Sequence, residues 1–155
     1  MDSFDCRTIV FSSSAAVYGA ANINLINEDQ DLNPINPYGL TKFTIENVLA
    51  NLYESSLKEW KIINLRYFNP IGAHPSGLLG EVPIGIPNNI FPLIMQVSLG
   101  KMECFKIYGN DWPTRDGTCI RDYIHVQDLA VAHVRALDFL LENKVKDVFN
   151  VGTGK

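Results

Sequence analysis

Asn36-Pro37-Tyr38-Gly39-Leu40-Thr41-Lys42 opens a long amphipathic run, and its reading decides the fold. Asn36 is a good helix N-cap, because its side-chain oxygen can take a free backbone N–H. Pro37 suits the first helical position, where no N–H is needed. Phe43, Ile45, Val48, Leu49 and Leu52 predict an apolar face on a helix reaching about Leu57. Upstream, Thr8-Ile9-Val10-Phe11 is a short, apolar, β-rich run that reads as a buried strand. Downstream, Lys61-Ile62-Ile63-Asn64-Leu65-Arg66-Tyr67-Phe68 reads as the next strand. Strand, helix and strand in this order make a β-α-β unit, which implies a parallel sheet with a right-handed crossover. The fold class is therefore α/β.

In open parallel sheets, ligands bind beyond the carboxyl ends of the strands. Ser14 and Asn69 both lie just past such ends. The turn Ser12-Ser13-Ser14-Ala15-Ala16-Val17-Tyr18-Gly19 is built of small residues and hydroxyls, so a ligand can come close to backbone there. Tyr38 and Lys42 are four apart and share one helix face, one turn apart. A free phenol ionises near pH ~10 and is a poor base at neutral pH. An ammonium held beside it favours the phenolate. Taken alone, the pair reads first as a surface tyrosine and a solvated lysine, and only its surroundings overturn that reading.

Composition narrows the classes. With 46% hydrophobic and 19% charged residues the chain can build a globular core. The net charge is −4, and no Lys/Arg cluster occurs, so nucleic acid and acidic membrane are not expected partners. Cys6, Cys104 and Cys119 are odd in number and widely spaced, which argues against a disulfide framework or a zinc site. His74, His125 and His133 make no ligand pattern, so no metal is expected. No apolar run reaches membrane-spanning length, and the first residues carry no signal-peptide pattern. The expected compartment is the cytoplasm.

The remaining chain alternates loops with short elements. Residues 20–36 read as a surface loop. Asn69-Pro70-Ile71-Gly72-Ala73-His74-Pro75 cannot continue the strand before it and opens a long irregular loop reaching Pro87. Asn88-Asn89 can cap a helix from about Ile90 to Leu99, stopped by Gly100. Phe105-Lys106-Ile107-Tyr108 reads as a short strand. A helix follows from about Gln127 to Glu142, with Leu129, Ala132, His133, Ala136, Leu137 and Leu140 on one face and His133 at its edge. Asp147–Val151 reads as a last strand.

Together these phrases resemble the UDP-glucose 4-epimerase group of the extended short-chain dehydrogenase/reductase family. The matching stretches are Phe11–Gly19, Asn36-Pro37-Tyr38-Gly39 with Lys42, Leu65–Pro70, and Gly72-Ala73-His74-Pro75-Ser76-Gly77. Gly85-Ile86-Pro87-Asn88-Asn89, Tyr108-Gly109-Asn110-Asp111, Asp116-Gly117-Thr118 and Arg121–Val126 with Asp128-Leu129 complete the series. The resemblance implies NAD as cofactor and interconversion of UDP-glucose and UDP-galactose through a 4-keto sugar, with a homodimer as the full-length state. It implies a Rossmann-type sheet over about 1–70 and 121–155 and a sugar-nucleotide lobe over about 71–120. It makes Tyr38 the general base at the sugar 4-hydroxyl. Lys42 would hold the cofactor ribose and keep the tyrosinate charged, and Ser14 would relay between hydroxyl and tyrosine. Tyr67 and Phe68 would lie beside the nicotinamide. Ser14, Ala15, Ala16, Asn69, Asn88, Asn89, Ile90, Lys106, Ile107 and Tyr108 would contact the nucleotide-sugar, and Arg121 the diphosphate. Arginine suits that task because its planar fork donates two parallel hydrogen bonds. Related sugar-nucleotide 4,6-dehydratases carry Thr-Asp-Glu where this chain has Ser14-Ala15-Ala16, which lacks the acid and base that loss of water needs.

One feature of the family is missing. The Gly-x-x-Gly-x-x-Gly turn that receives the NAD pyrophosphate is not in these residues, and the family places further segments before Ile9 and after Lys155. The chain thus resembles the middle of such an enzyme. By itself it is expected to be poorly stable, with little or no epimerase activity. The alternative is an inactive truncated form that at most binds UDP-sugar or a full-length subunit.

Overall fold

The computed structural model describes residues 1–20, 25–57 and 59–154. Residues 21–24 of the expected surface loop, and Lys155, lie outside the described residues. The elements are β1 (Thr8–Ser12), α1 (Pro37–Ser55), β2 (Lys61–Tyr67), β3 (Asn69–Ile71), α2 (Ile90–Ser98), β4 (Tyr123–His125), α3 (Val126–Glu142) and β5 (Lys146–Val151). The strands β1, β2 and β5 form a parallel sheet in that order, with Ser12 opposite Leu65 and Leu65 opposite Phe149. The α/β class and the parallel pairing of β1 with β2 are as the sequence predicts. The chain divides into two compact units, Met1–Pro70 with Asp122–Lys155, and Ile71–Arg121.

Side chains of β2 alternate between the two faces of the sheet, as the period-two geometry of a strand requires. Ile63 and Leu65 pack with Ala136 and Leu140 of α3, joined by Val10, Ala132, Val145 and Val151. Ile62 packs on the other face with Leu49 of α1 and Trp60, joined by Ile9, Phe11, Leu52 and Tyr53. The two helices therefore cover opposite faces of β1 and β2. Burying a side chain such as Ile62 or Ile63, both fully buried, contributes about 1.5–3 kcal/mol.

The inward face of α1 differs from the one the apolar periodicity predicts. Gly39, Glu46 and Leu49 are buried, whereas Ile45 and Val48 are 40% and 58% exposed. The reason is a buried ion pair. Arg66 on β2 donates from Nη2 to Glu46 Oε2 at 2.6 Å and from Nε to Oε1 at 3.0 Å. The Ser13 hydroxyl donates to Glu46 Oε1 as well. Arg66 Nη1 donates to the Tyr18 hydroxyl at 2.9 Å, which donates onward to Asn150 Oδ1 at 2.7 Å. Burial alone would lower the Arg66 pKa, but its bonds to Glu46 and Tyr18 outweigh that and raise it, so the guanidinium stays charged. A helix turned to bring Glu46 to Arg66 must leave Ile45 and Val48 outside.

Two further expectations are corrected. Asn69–Ile71 is not the start of an irregular loop but the short strand β3, paired with β4 in a two-stranded sheet. Pro70 is tolerated there because a short edge strand does not need every N–H. Phe105–Tyr108 is not a strand: its backbone has no strand partner among the described residues, and Ile107 and Tyr108 are 66% and 93% exposed. A strand without a neighbour cannot satisfy its own N–H and C=O groups. The loop after β5 is held by Asp122. Its carboxylate accepts from Thr153 N at 2.9 Å, Thr153 Oγ1 at 2.7 Å and Gly154 N at 3.0 Å.

The Glu46→Ala substitution leaves the Arg66 charge buried without its partner and is expected to cost about 3–5 kcal/mol of unfolding free energy. Urea unfolding measures it; a change below about 1 kcal/mol would show that the pair holds nothing. Asp122 offers a pH test. Burial opposes its ionisation most, but the bonds from Thr153 and Gly154 outweigh burial and lower its pKa. Its stabilisation is complete above the ordinary carboxyl value of about 3.9 and is lost as pH falls through the depressed folded value. The Thr153 and Gly154 amide resonances should therefore titrate with a midpoint below about 3.9; a midpoint above that value contradicts the clamp.

Candidate active site

The site grows from the carboxyl end of β1. Beyond Ser12 the chain turns into a short 3-10 segment, Ala15–Tyr18, capped by Ser14, whose Oγ accepts from Ala16 N at 3.2 Å. Val17 and Tyr18 are buried and anchor the turn in the core. The start of α1 lies directly against it. Asn36 caps the helix by accepting from Gly39 N at 2.7 Å, as the sequence predicts. A Cβ on Gly39 would lie 2.5 Å from the Ala16 carbonyl oxygen, so only glycine lets the helix approach this closely. Glycine at this position is therefore what brings Tyr38 and Lys42 to the serine turn.

Lys42 Nζ donates to the Ser12 carbonyl at 2.9 Å. It lies 5.2 Å from the Phe11 ring centroid and 5.7 Å from that of Tyr38, within cation–π range of both. The Tyr38 ring is half exposed. Ser14 is 8% exposed, and no hydrogen bond joins it to Tyr38 among the described residues. Its hydroxyl accepts from Ala16 and keeps its own proton for donation. Tyr67 closes β2 beside this group. Burial raises its pKa, the neighbouring Tyr38 charge raises it further, and the contact with the Ser12 hydroxyl opposes both. Phe68 N donates to the Val151 carbonyl at 3.1 Å, and Asn69 donates from both N and Nδ2 to the Asp122 carbonyl, at 3.1 and 3.0 Å. The first unit thus brings together Ser14, Ala15, Ala16, Tyr38, Lys42, Tyr67, Phe68 and Asn69 at the carboxyl ends of β1 and β2.

Asn88, Asn89, Ile90, Lys106, Ile107, Tyr108 and Arg121 belong to the second unit and are all exposed. Asn89 is the N-cap residue of α2 but makes no side-chain cap bond. Lys106, Ile107 and Tyr108 sit in irregular backbone before a turn that Asp116 organises by accepting from Thr118 N at 3.0 Å and Thr118 Oγ1 at 2.9 Å.

Several residues that hold the site have only weak sequence signals. Ser12 supplies the carbonyl for Lys42. Glu46 and Arg66 fix Ser13 and Tyr18 on either side of Ser14. Glu46 was legible as a carboxylate four residues after Lys42, on the stripe begun by Gly39. His133 lies at the edge of the apolar face of α3, where the periodicity places it, but it is engaged: its Nε2 is 2.8 Å from Ser12 Oγ.

The comparisons agree with this geometry. A model of the NAD dependent epimerase/dehydratase family matches residues 1–152. UDP-glucose 4-epimerase of Bacillus subtilis is 51% identical over 154 residues, covering 99% of this chain and 45% of that protein. The solved UDP-glucose-4-epimerase of Stenotrophomonas maltophila, with bound NAD and formylated UDP-arabinopyranose, superposes with a TM-score of 0.94 at 45% identity, covering 100% of this chain and 46% of that one. The enzyme of Bifidobacterium longum, in complex with NAD+ and UDP, gives a TM-score of 0.94 at 44% identity, covering 100% and 46%. The chain thus spans somewhat under half the length of these relatives. A parallel sheet with a Tyr38–Lys42 pair at its carboxyl edge, and a family match running almost end to end, lead to one conclusion: the chain belongs to the NAD dependent epimerase/dehydratase family.

Proposed function

We propose that this chain carries the base-bearing part of an NAD-dependent UDP-glucose 4-epimerase, which interconverts UDP-glucose and UDP-galactose. The observation that carries the reading is Lys42, anchored on the Ser12 carbonyl at 2.9 Å and facing the Tyr38 ring beside the buried Ser14. The names of the relatives support the substrate class.

The residues present fit the nicotinamide-ribose end of NAD. Lys42 has three N–H donors and the Ser12 carbonyl takes one, which suits it to ribose hydroxyls. Tyr67 and Phe68 are the groups we assign beside the ring. When bound, NAD supplies a reversible hydride acceptor, and the chain's own residues handle the proton. Tyr38 takes the proton of the sugar 4-hydroxyl and returns it after the sugar has turned over. Lys42 stabilises the phenolate charge. Ser14 bridges the hydroxyl and Tyr38. Ala15, Ala16 and Asn69 border the sugar. In the second unit we assign Asn88, Asn89, Ile90, Lys106, Ile107 and Tyr108 to the nucleotide-sugar and Arg121 to the diphosphate, on the resemblance alone. No helix among the described residues is long and apolar enough to cross a membrane; cytoplasmic location is part of the proposal. So is a homodimer of the full-length protein, supported by the exposed Leu40, Ile45 and Val48 on α1.

The test is turnover of UDP-galactose by the full-length protein that carries these residues. Tyr38→Phe is expected to lower kcat by about 10²–10⁴-fold with little change in KM. A variant with unchanged kcat removes Tyr38 as the base, and absence of turnover in the unmutated protein removes the reaction.

A further inference from the structure

Ser12 is held from both helix layers at once, by a lysine of α1 and a histidine of α3. We propose that His133 is a positioning residue for Lys42: by taking the Ser12 hydroxyl proton it fixes the end of β1, so that the Ser12 carbonyl keeps the Lys42 ammonium beside Tyr38. The inference rests on the roles proposed for Lys42 and Tyr38 and adds a residue that acts on them through Ser12.

Strand geometry sets up the arrangement. Side chains of β1 alternate, with Ile9 and Phe11 packed on the α1 side and Val10 on the α3 side. Ser12 follows in the register of Val10, so its hydroxyl is on the α3 side, where His133 Nε2 lies 2.8 Å away. Its carbonyl accepts from Lys42 Nζ of α1 at 2.9 Å, and the same ammonium lies 5.7 Å from the Tyr38 ring centroid. Ser12 is also the last residue of β1 to pair with β2, opposite Leu65. Beyond it the chain leaves the ladder for the serine turn, and a strand end is where backbone hydrogen bonds hold least firmly.

Proton placement makes His133 an acceptor rather than a space-filler. On α3 it stands four residues after Leu129 and three before Ala136, both buried. A polar group on such a stripe needs partners, and both ring nitrogens have one. Nδ1 lies 2.9 Å from the Leu129 carbonyl oxygen. A carbonyl only accepts, so Nδ1 carries the ring proton. In the neutral ring Nε2 then accepts, and the Ser12 hydroxyl donates to it. The Tyr67 ring packs against the imidazole at a centroid distance of 6.2 Å. A phenylalanine at position 133 can keep that packing but leaves the Ser12 hydroxyl without its acceptor.

The experiment uses the full-length protein carrying nitrogen-15 in its lysine side chains, with Lys42→Met to assign the Lys42 resonance. His133→Phe is expected to move the Lys42 ammonium resonance toward that of solvent-exposed lysines. Ser12→Ala, a small change that keeps the carbonyl and the Tyr67–His133 packing, is expected to do the same. His133→Gln, whose amide oxygen can accept the Ser12 proton, should restore the native position. With UDP-galactose, kcat of His133→Phe and of Ser12→Ala should each fall about tenfold at little-changed KM. Recovery is expected in His133→Gln, and no further loss when His133→Phe and Ser12→Ala are combined. A Lys42 resonance that stays in place in Ser12→Ala overturns the inference. So does a kcat loss that adds in the double variant, which is what independent packing in the helix–sheet interface predicts. Nitrogen-15 imidazole spectra of the unmutated protein test the proton placement without any variant: a proton on Nε2 instead of Nδ1 overturns it. Normal turnover in His133→Phe with the Lys42 resonance unmoved defeats the His133 inference alone. No turnover in the unmutated protein, with the Lys42 contrast intact, defeats the proposed function and supports the coupling of His133 to Lys42.

Discussion

The buried pair of Glu46 and Arg66 is the interaction on which the rest of the sheet unit depends. Both side chains are almost fully enclosed, at 6% and 7% exposure. Charges so placed must be matched completely, because removing either one strands the other in a poorly polarisable interior. The match here runs through five segments. Glu46 comes from α1, Arg66 from β2, Ser13 and Tyr18 from the turn after β1, Glu28 from the loop before α1, and Asn150 from β5. Moving any one of these segments breaks a bond in the others. The polar cluster thus fixes how α1 is rotated on the sheet and where the serine turn lies.

That rotation gives the site its geometry. The helix stripe of Gly39, Lys42, Glu46 and Leu49 faces inward, and each member does something different. Gly39 allows contact with the turn, Lys42 reaches the Ser12 carbonyl, Glu46 holds Arg66, and Leu49 packs against Trp60 and Ile62. Tyr38 sits at the upper rim of the same face, half exposed, where a substrate hydroxyl could reach it. Structural and chemical roles therefore alternate along a single helix, one turn apart.

The turn after β1 shows the same economy. Three consecutive serines take three different jobs. Ser12 holds Lys42 with its carbonyl and His133 with its hydroxyl, Ser13 bonds to Glu46, and Ser14 caps the 3-10 turn. A run of identical small residues carries no periodic signal, so their division of labour depends on neighbours from α1 and α3 far away in sequence.

What the sequence determined by itself was local and periodic. The Asn36–Pro37 start of α1, the strands around it and the parallel pairing follow from capping chemistry and apolar runs, and the Tyr38–Lys42 spacing follows from helix geometry. The resemblance to a known family, carried by phrases such as Gly72–Gly77, was legible for the same reason: it lies in order and spacing. Only the tertiary structure decided the rest. Ile45 and Val48 look like core by periodicity, yet they face outward because Glu46 has a partner twenty residues away on β2. Asn69–Ile71 became a strand because β4 lies beside it, and Phe105–Tyr108 did not because no strand among the described residues does. His133 was a polar residue on an apolar edge until β1 brought Ser12 to it. In each case the deciding term is a hydrogen bond or ion pair between distant residues, and no local pattern encodes which distant partner a polar group will meet.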